Sequence, residues 1–351
     1  MKKSVLCLCV CFVLILSACG TAPIPPSSSS SGKGGKPAWI DNLDSVYPKN
    51  QYIAAKGNGD NLDAAKRNAF SALISYFGQS ISVDQSVSEV YQEAVKSGAA
   101  ASWSNTTTVQ SNISTSSSLD TLVGAEIKDT WDDFRGNYYA VAVMERAKTI
   151  QIYNDLIKSN LSMISNLTNM NQAQKNTLEG FSRYQFAAVV ADINVSYENL
   201  LKVIGAAAPA GVKKGDDYRF ESAEIAKSIP IAVKVSGDRQ GRVQAALSKA
   251  LTNMGFRSGG SNSRYVVDAK LVITEVQLAN QPNKFARYEI TADLNDTAVG
   301  QTLLPFSANG REGHTTLAEA ENRALAAVER KINEEYKNLV SEYLAQALPK
   351  K

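Results

Sequence analysis

All four cysteines of this 351-residue chain, Cys7, Cys9, Cys11 and Cys19, fall within its first nineteen residues. Whatever folds beyond Cys19 must do so without a disulfide and without a thiolate metal site. There is one histidine, His314. That excludes a multi-histidine metal centre, and a Ser-His-Asp triad would need this one residue as its base. The fold therefore rests on apolar burial. A hydrophobic content of 44% with 20% charged residues is that of a globular chain and supplies the material.

The N-terminus has the layout of a secretory signal. Lys2 and Lys3 are followed by an apolar stretch from Val5 to Leu16 and then by small residues. The stretch is short for a membrane span, which needs about 20 apolar residues. Leu16-Ser17-Ala18-Cys19 resembles the lipobox of bacterial lipoproteins. The resemblance implies that diacylglycerol alkylates the Cys19 thiol, that the chain is cut before Cys19, and that the new amine is acylated. Residues 1–18 are then a signal peptide. Their loss leaves 333 residues (351 less 18) and lowers the formal charge from +3 to +1, because Lys2 and Lys3 leave with them. A balance so near zero gives no case for nucleic acid or another polyanion as partner. The remaining length has room for two or three domains of about 100–200 residues each.

Residues 19–36 read as a lipidated flexible tether. Pro23, Pro25 and Pro26 stiffen its start, and five serines with Gly32, Gly34 and Gly35 loosen the rest. Fully stretched it reaches roughly 60 Å, and its typical span is roughly 20–25 Å.

Order is expected from Pro37-Ala38-Trp39-Ile40. A strand over Gln51–Lys56 leads into a turn, Gly57-Asn58-Gly59-Asp60-Asn61, and a helix over Leu62–Phe77 capped by Asp60 or Asn61. Leu62, Ala65, Ala69, Leu73 and Tyr76 form its apolar stripe. Past Gly78, Ile81, Val83 and Val87 alternate with polar residues. Residues 102–118, rich in Ser, Thr and Asn around Trp103, Val109 and Ile113, read as a long polar hairpin arm or a mobile loop. Strands over Leu122–Trp131 and Tyr138–Met144 follow, joined by Asp132–Asn137. The run Tyr138-Tyr139-Ala140-Val141-Ala142-Val143 is apolar on both faces and predicts a central strand. Pro37-Ala38-Trp39, Gly57-Asn58-Gly59, the alanine-rich helix and this closing strand together resemble the Lpp-twenty lipoprotein family, over residues 37–150. The resemblance implies an outer-membrane lipoprotein with no catalytic signature, in a family several of whose members are tied to flagellar structures.

From Met144 to Gly205 the spacing is helical. Ile150, Tyr153, Ile157, Leu161, Ile164 and Leu167 recur on one helix, and Leu178, Phe181, Tyr184, Ala188, Ala191 and Val195 on a second. Residues 151–205 are expected as an antiparallel helical hairpin and 206–217 as a linker. Residues 218–351 then read as strand (Ile229–Val235), helix (Gly241–Met254), strand (Tyr265–Val276), a hairpin of Arg287–Leu294 with Gln301–Phe306, and a closing helix (Thr315–Leu348). This order, with Gly255-Phe256 and Asp268-Ala269-Lys270-Leu271, resembles the module shared by the TolB N-terminal domain, the curli-secretion lipoprotein and the penicillin-binding-protein activator lipoproteins. Those relatives bind or assemble. Residues 62–69 and 317–324 can also be aligned with one another, which leaves open a duplication of the two halves.

The expected fold class is α+β, two small sheet-plus-helix modules separated by a helical hairpin. No catalytic residue, metal ligand or cofactor is assigned. Gly57-Asn58-Gly59 lacks the third glycine of a dinucleotide cradle, because Leu62 stands there, and reads as a turn with a cap. His314 reads as a capping or surface residue. Asp129, Asp132 and Asp133, with Glu126 nearby, do not have the spacing of a calcium loop and read as a solvated turn. The assigned sites are Cys19 for lipidation and Trp103, Val109, Ile113, Tyr138 and Tyr139 as partner-contact candidates, aromatics being enriched at interfaces. The partners expected are membrane lipid, through acylated Cys19, and envelope proteins or further copies of the chain. The expected function is a non-catalytic binding or assembly factor at the outer membrane, facing the periplasm. A surface-displayed adhesin and a peptidoglycan-modifying enzyme are the alternatives.

Overall fold

The computed structural model describes residues 35–77, 123–279 and 281–346. Cys19, the tether up to residue 34, the alternation at 81–87 and the arm at 102–118 with Trp103, Val109 and Ile113 lie outside the described residues. The described residues are mixed helix and sheet, in sheet-plus-helix modules without a barrel.

The first module is a three-stranded antiparallel sheet in the order β1 (Tyr52–Gly59), β3 (Tyr138–Glu145), β2 (Ala125–Asp132). β3 is central, as its two-sided apolar run requires, and Ala140 to Met144 are all buried. Helix α3 (Leu62–Phe77) lies on one face. Its buried row is Ala65, Ala69, Leu73 and Phe77, at strict i+4 spacing, packed against Ala140, Ala142 and Met144. The expected stripe shifts at both ends: Leu62 and Tyr76 are exposed and Phe77 takes the last place. Two short helices, α1 (Ala38–Asp41) and α2 (Leu43–Val46), cover the opposite face.

Gly57-Asn58-Gly59 is not the turn that the sequence suggests. It continues β1, with Gly57, Asn58 and Gly59 opposite Ala140, Tyr139 and Tyr138. The physical reason is the helix above. A Cβ on Gly57 would stand 2.1 Å from the Ala69 nitrogen and 2.4 Å from the Ala65 carbonyl oxygen, and one on Gly59 would stand 2.7 Å from Ala64 Cβ. Bare glycine backbone lets α3 lie directly on the strand. The turn is confined to Asp60-Asn61, where Asn61 Oδ1 accepts the Ala64 N–H at 2.8 Å and caps the helix.

Next come α4 (Arg146–Thr168), a single turn α5 (Gln172–Lys175), and α6 (Leu178–Val203). Thr177 caps α6 by accepting from the Gly180 N–H at 3.0 Å. α6 enters three cores in succession. Leu178, Phe181 and Tyr184 pack with the second sheet. Phe186, Ala187, Val190, Ala191 and Ile193 pack on Met163, Ile164 and Leu167 of α4. Leu200 and Leu201 pack with the first sheet. Helix α7 (Gly215–Ser228) begins inside the stretch expected as a linker. It escapes a periodicity search because its buried side is made of Gly215, Ser222, Ile225 and Ala226, mostly small residues. Gly215 sits against α6, where a Cβ would come 2.7 Å from the Ala188 carbonyl oxygen.

The second sheet runs β5 (Arg257–Ser258), β4 (Pro230–Ser236), β6 (Tyr265–Val276), β7 (Lys284–Asp296), β8 (Gln301–Leu304), with β9 (Ser307–His314) also paired to β7. β4 and β6 are parallel, joined through α8 (Arg242–Asn253), and β6 to β9 are antiparallel. Pro305, with no N–H, divides β8 from β9. The expected hairpin ends at Phe306, whereas the paired chain continues to His314. Ser307-Ala308-Asn309-Gly310-Arg311-Glu312-Gly313-His314 carries no apolar alternation, so the backbone ladder rather than side-chain burial defines that strand. The closing helix is α9 (Leu317–Lys331), a π turn (Ile332–Tyr336) and α10 (Lys337–Gln346). Arg242 on α8 donates through Nε and Nη2 to the two carboxylate oxygens of Glu329 on α9, each at 2.8 Å. No helix among the described residues is long and apolar enough to cross a membrane.

Candidate functional site

The aromatic face of the first sheet depends on one extra residue in β2. Ile127 pairs with Ala142 and Asp129 pairs with Val141, so Lys128 is bulged. Before the bulge, the odd residues Ala125 and Ile127 face α3. After it, the odd residues Asp129 and Trp131 lie opposite Val141 and Tyr139 on the other face. A bulge shifts side-chain parity by one, and here it brings Asp129 and Trp131 under the N-terminal segment.

That segment is clasped at Trp39, which is 2% exposed. Trp39 Nε1 donates to Asp129 Oδ2 at 2.8 Å, and the Thr130 N–H donates to Asp129 Oδ1 at 2.8 Å. Lys56 Nζ donates to the Ile40 carbonyl oxygen at 2.6 Å, a second fastening from β1. Around the clasp Tyr47 meets Tyr52 edge-on at 5.7 Å, and Trp131 meets Tyr139 at 5.4 Å with a 36° tilt. Burial pushes the Tyr47 hydroxyl up to about 12, and the Asp129 charge adds to the effect. The Trp131 indole nitrogen is buried without a hydrogen-bond partner among the described residues. The segment from Trp39 to Tyr47 is thus pinned to the sheet by an indole, a carboxylate and a shell of rings.

The two tyrosines chosen from the sequence fall on opposite faces, as neighbours in a strand must. Tyr139 joins the aromatic face, whereas Tyr138 packs on the α3 side. They do not form one surface. Trp39, Tyr47 and Asp129 complete the aromatic face, and none of the three is among the site residues assigned from the sequence. The sequence signal for them was the Pro37-Ala38-Trp39 start and the acidic cluster around Trp131. Only the bulge shows that the two meet.

The other two aspartates form the β2–β3 turn, while Glu126 stays on β2 beside Lys128. Asp132 Oδ1 accepts from the Phe134 N–H, and Asp133 Oδ1 accepts from the N–H groups of Arg135 and Asn137. The Asn137 side-chain amide also donates to Asp133 Oδ2 at 2.6 Å. That bond, helped by the backbone donors, holds the Asp133 carboxyl below the usual carboxylate range. Asp129 points instead to Trp39, so the cluster splits between a turn and a clasp. Among the described residues no group of three or more His, Cys, Asp or Glu is placed to hold a metal ion. His314 ends β9 opposite Lys284, and its Nδ1 lies 3.4 Å from the Thr316 nitrogen at the start of α9.

Residues 37–145 match the LPP20 lipoprotein family. The match takes in the clasp, the glycine-backed strand and the whole three-stranded sheet. No curated protein matches the chain. Among solved structures, the secreted protein HP1454 from Helicobacter pylori is 16% identical, with 86% of this chain and 99% of that one covered and a TM-score of 0.43. A putative lipoprotein from Caulobacter crescentus is 18% identical over 32% of this chain and 90% of its own, with a TM-score of 0.25. A minor lipoprotein from Acinetobacter baumannii is 15% identical over 35% of this chain and 97% of its own, also at 0.25.

Proposed function

We propose that the chain is a lipid-anchored envelope lipoprotein that binds and assembles other proteins and carries out no catalysis. The LPP20 match over residues 37–145 is the premise for the lipid anchor, and Cys19 is the residue that would carry the acyl chains. Three acyl chains, at about 0.8 kcal/mol per buried CH₂, make such attachment stable. The outer membrane, with the folded part in the periplasm, is the location that the Lpp-twenty resemblance implies. Residues 218–351, with their resemblance to the TolB N-terminal module, form the end that would take up a partner.

The observation that carries this reading is the helix shared by both sheets. α6 contributes Leu200 and Leu201 to the first core and Phe181 and Tyr184 to the second. Phe181 and Leu200 are nineteen positions apart, or about 28 Å along the axis at 1.5 Å per residue. A continuous helix buried at both ends is a spacer. It holds the second sheet at a set distance from the module that is tethered to lipid. Confining a binding surface to a thin layer beside a membrane raises its effective concentration towards partners in that layer.

The test is crosslinking in intact envelopes followed by affinity capture and mass spectrometry, beside a Cys19→Ser variant. The expected result is a defined set of envelope proteins that is lost or depleted in the variant. Recovery of the chain alone, with no crosslinked partner, would sink the binding reading. Metabolic labelling with a palmitate analogue checks the anchor separately. Protease treatment of whole cells should leave the chain intact, and cleavage would favour outward display as an adhesin.

A further inference from the structure

Among the described residues the open edge of the second sheet is β9, and its backbone directions follow from one hydrogen bond and the register. The Ala292 N–H donates to the Phe306 carbonyl oxygen at 2.9 Å. By antiparallel alternation, Ile290, Tyr288, Ala286 and Lys284 likewise turn their backbone groups towards β9. Their partners Ala308, Gly310, Glu312 and His314 are taken up by that ladder. The N–H and C=O groups of Ser307, Asn309, Arg311 and Gly313 therefore point away from β7. Arg323 Nη1 covers one of them, the Gly313 carbonyl, at 3.4 Å. Ser307, Asn309 and Arg311 are all exposed. The opposite edge of the sheet, β5, is only two residues long.

Beside this edge two arginines face each other. Arg287 on β7 and Arg311 on β9 are direct cross-strand partners, both exposed, on the face of the sheet away from the helices. Like charges directly opposite destabilise a sheet. Among the described residues neither guanidinium is in an ion pair. Arg311 rests on the Phe285 ring at 5.4 Å, and Thr274 lies across from Arg287 on β6. The nearest acid on this face, Glu289, is paired with Asn309 in the next row and salt-bridges neither arginine. Across β4, β6, β7 and β9 the pair forms the one row of this face with two cations and no acid. A repulsive pair next to three unused backbone residues is what a strand-addition site for an anionic segment requires: main-chain groups for affinity and charge for selection.

We infer that the β9 edge accepts an extended acidic segment of a partner protein as an added strand. The segment's backbone pairs with Ser307, Asn309 and Arg311, and its carboxylates face the Arg287–Arg311 pair. This names the surface and partner chemistry of the binding protein proposed above and rests on that reading.

The test measures fluorescence polarisation of a labelled peptide alternating glutamate and threonine, with full-length protein in detergent micelles. A lysine–threonine peptide is the control. Arg311→Glu turns the repulsive pair into an attractive one, so a loss of binding there cannot be blamed on unfolding. Asn309→Pro removes an outward N–H without touching the ladder to β7. The acidic peptide should bind, the lysine peptide should not, and each variant should weaken binding at least about tenfold while keeping its melting temperature. Equal binding of both peptides, unchanged binding by Arg311→Glu, or no binding at all overturns the inference. If the peptide fails while envelope crosslinking still captures partners, the β9 site falls and the binding-protein reading stands. If crosslinking is also empty, both fall.

Discussion

The indole of Trp39 and the carboxylate of Asp129, ninety residues apart, share a hydrogen bond of 2.8 Å that closes the N-terminal segment over the first sheet. Both ends of this bond depend on neighbours. Trp39 is held in the short helix Ala38–Asp41, and Asp129 is aimed by the bulge at Lys128. Replacing Trp39 by Phe removes the donor and leaves a half-buried carboxylate short of a partner, at a cost of about 1–2 kcal/mol. The bulge makes a sharper expectation. Deleting Lys128 leaves the parity of both flanks intact, so the protein should fold with a melting temperature near that of the parent. Deleting Thr130, with the ladder closing up, turns Asp129 under α3 and sets Lys128 against Trp39. A charge placed there should cost about 3 kcal/mol or more. Denaturant melts of the two deletions decide it, and equal stability would refute the parity account.

Gly57 has a different job, which is to have no side chain. Gly57→Ala would drive a methyl group into the backbone of α3 at Ala65 and Ala69. The helix would have to lift off the sheet, at an expected loss of about 3 kcal/mol. Gly260→Ala is the control, since nothing lies within 4 Å of that position. It should shift stability by no more than about 0.5 kcal/mol. Chemical denaturation of both variants provides the comparison.

These two features show where the amino-acid sequence is legible and where it is not. Helix α3 over Leu62–Phe77 and strand β6 over Tyr265–Val276 carry long apolar periodicities, and each can be placed from its own residues. The central position of β3 follows from an apolar run on both faces. Gly57-Asn58-Gly59 reads as a turn because glycine weakens a strand. Its real role is visible only once α3 is known to lie on it. The Lys128 bulge has no local signature, so Asp129 and Trp131 cannot be assigned to a face from sequence. α7 hides behind small buried residues, and β9 is held by backbone rather than by side chains. The aromatic face was half legible for the same reason: its rings are conspicuous in the sequence, and the parity that unites them is not.

Tyr47 gives the clasp a pH signature. Its hydroxyl is pushed up to about 12 by burial and by the Asp129 charge, against an unfolded value of about 10. A folded-state value raised above the unfolded one means that the folded chain keeps its proton longer. The associated stability is complete below pH 10 and is lost as pH rises from about 10 to 12, by on the order of 2 kcal/mol in all. Tyr47→Phe removes this titration. Its stability, measured between pH 9 and pH 12, should fall less steeply than the parent's. Parallel profiles would show that Tyr47 is not the group responsible.

The helical hairpin holds a buried polar contact between side chains. Asn160 Nδ2 on α4 donates to Asn194 Oδ1 on α6 at 2.9 Å, with both side chains fully buried. Asn194 Nδ2 has no partner among the described residues. Two amides buried between helices cost desolvation, and the Asn194 amide nitrogen recovers none of it. Changing Asn160 alone to Leu strands the second amide in an apolar seam and should cost about 1–3 kcal/mol. Changing both to Leu removes the stranded group and fills the space with groups of similar volume, which should restore the parent stability or exceed it. A double-mutant cycle by thermal melting would then show coupling of opposite sign to either single loss. Asn194 lies on α6 between the stretches that enter the two sheet cores. If it also sets the register of α6 on α4, the leucine double variant should melt higher yet lose envelope crosslinks, because the second sheet would no longer sit at its set distance. Unchanged crosslinking in that variant would leave the asparagines no role in register.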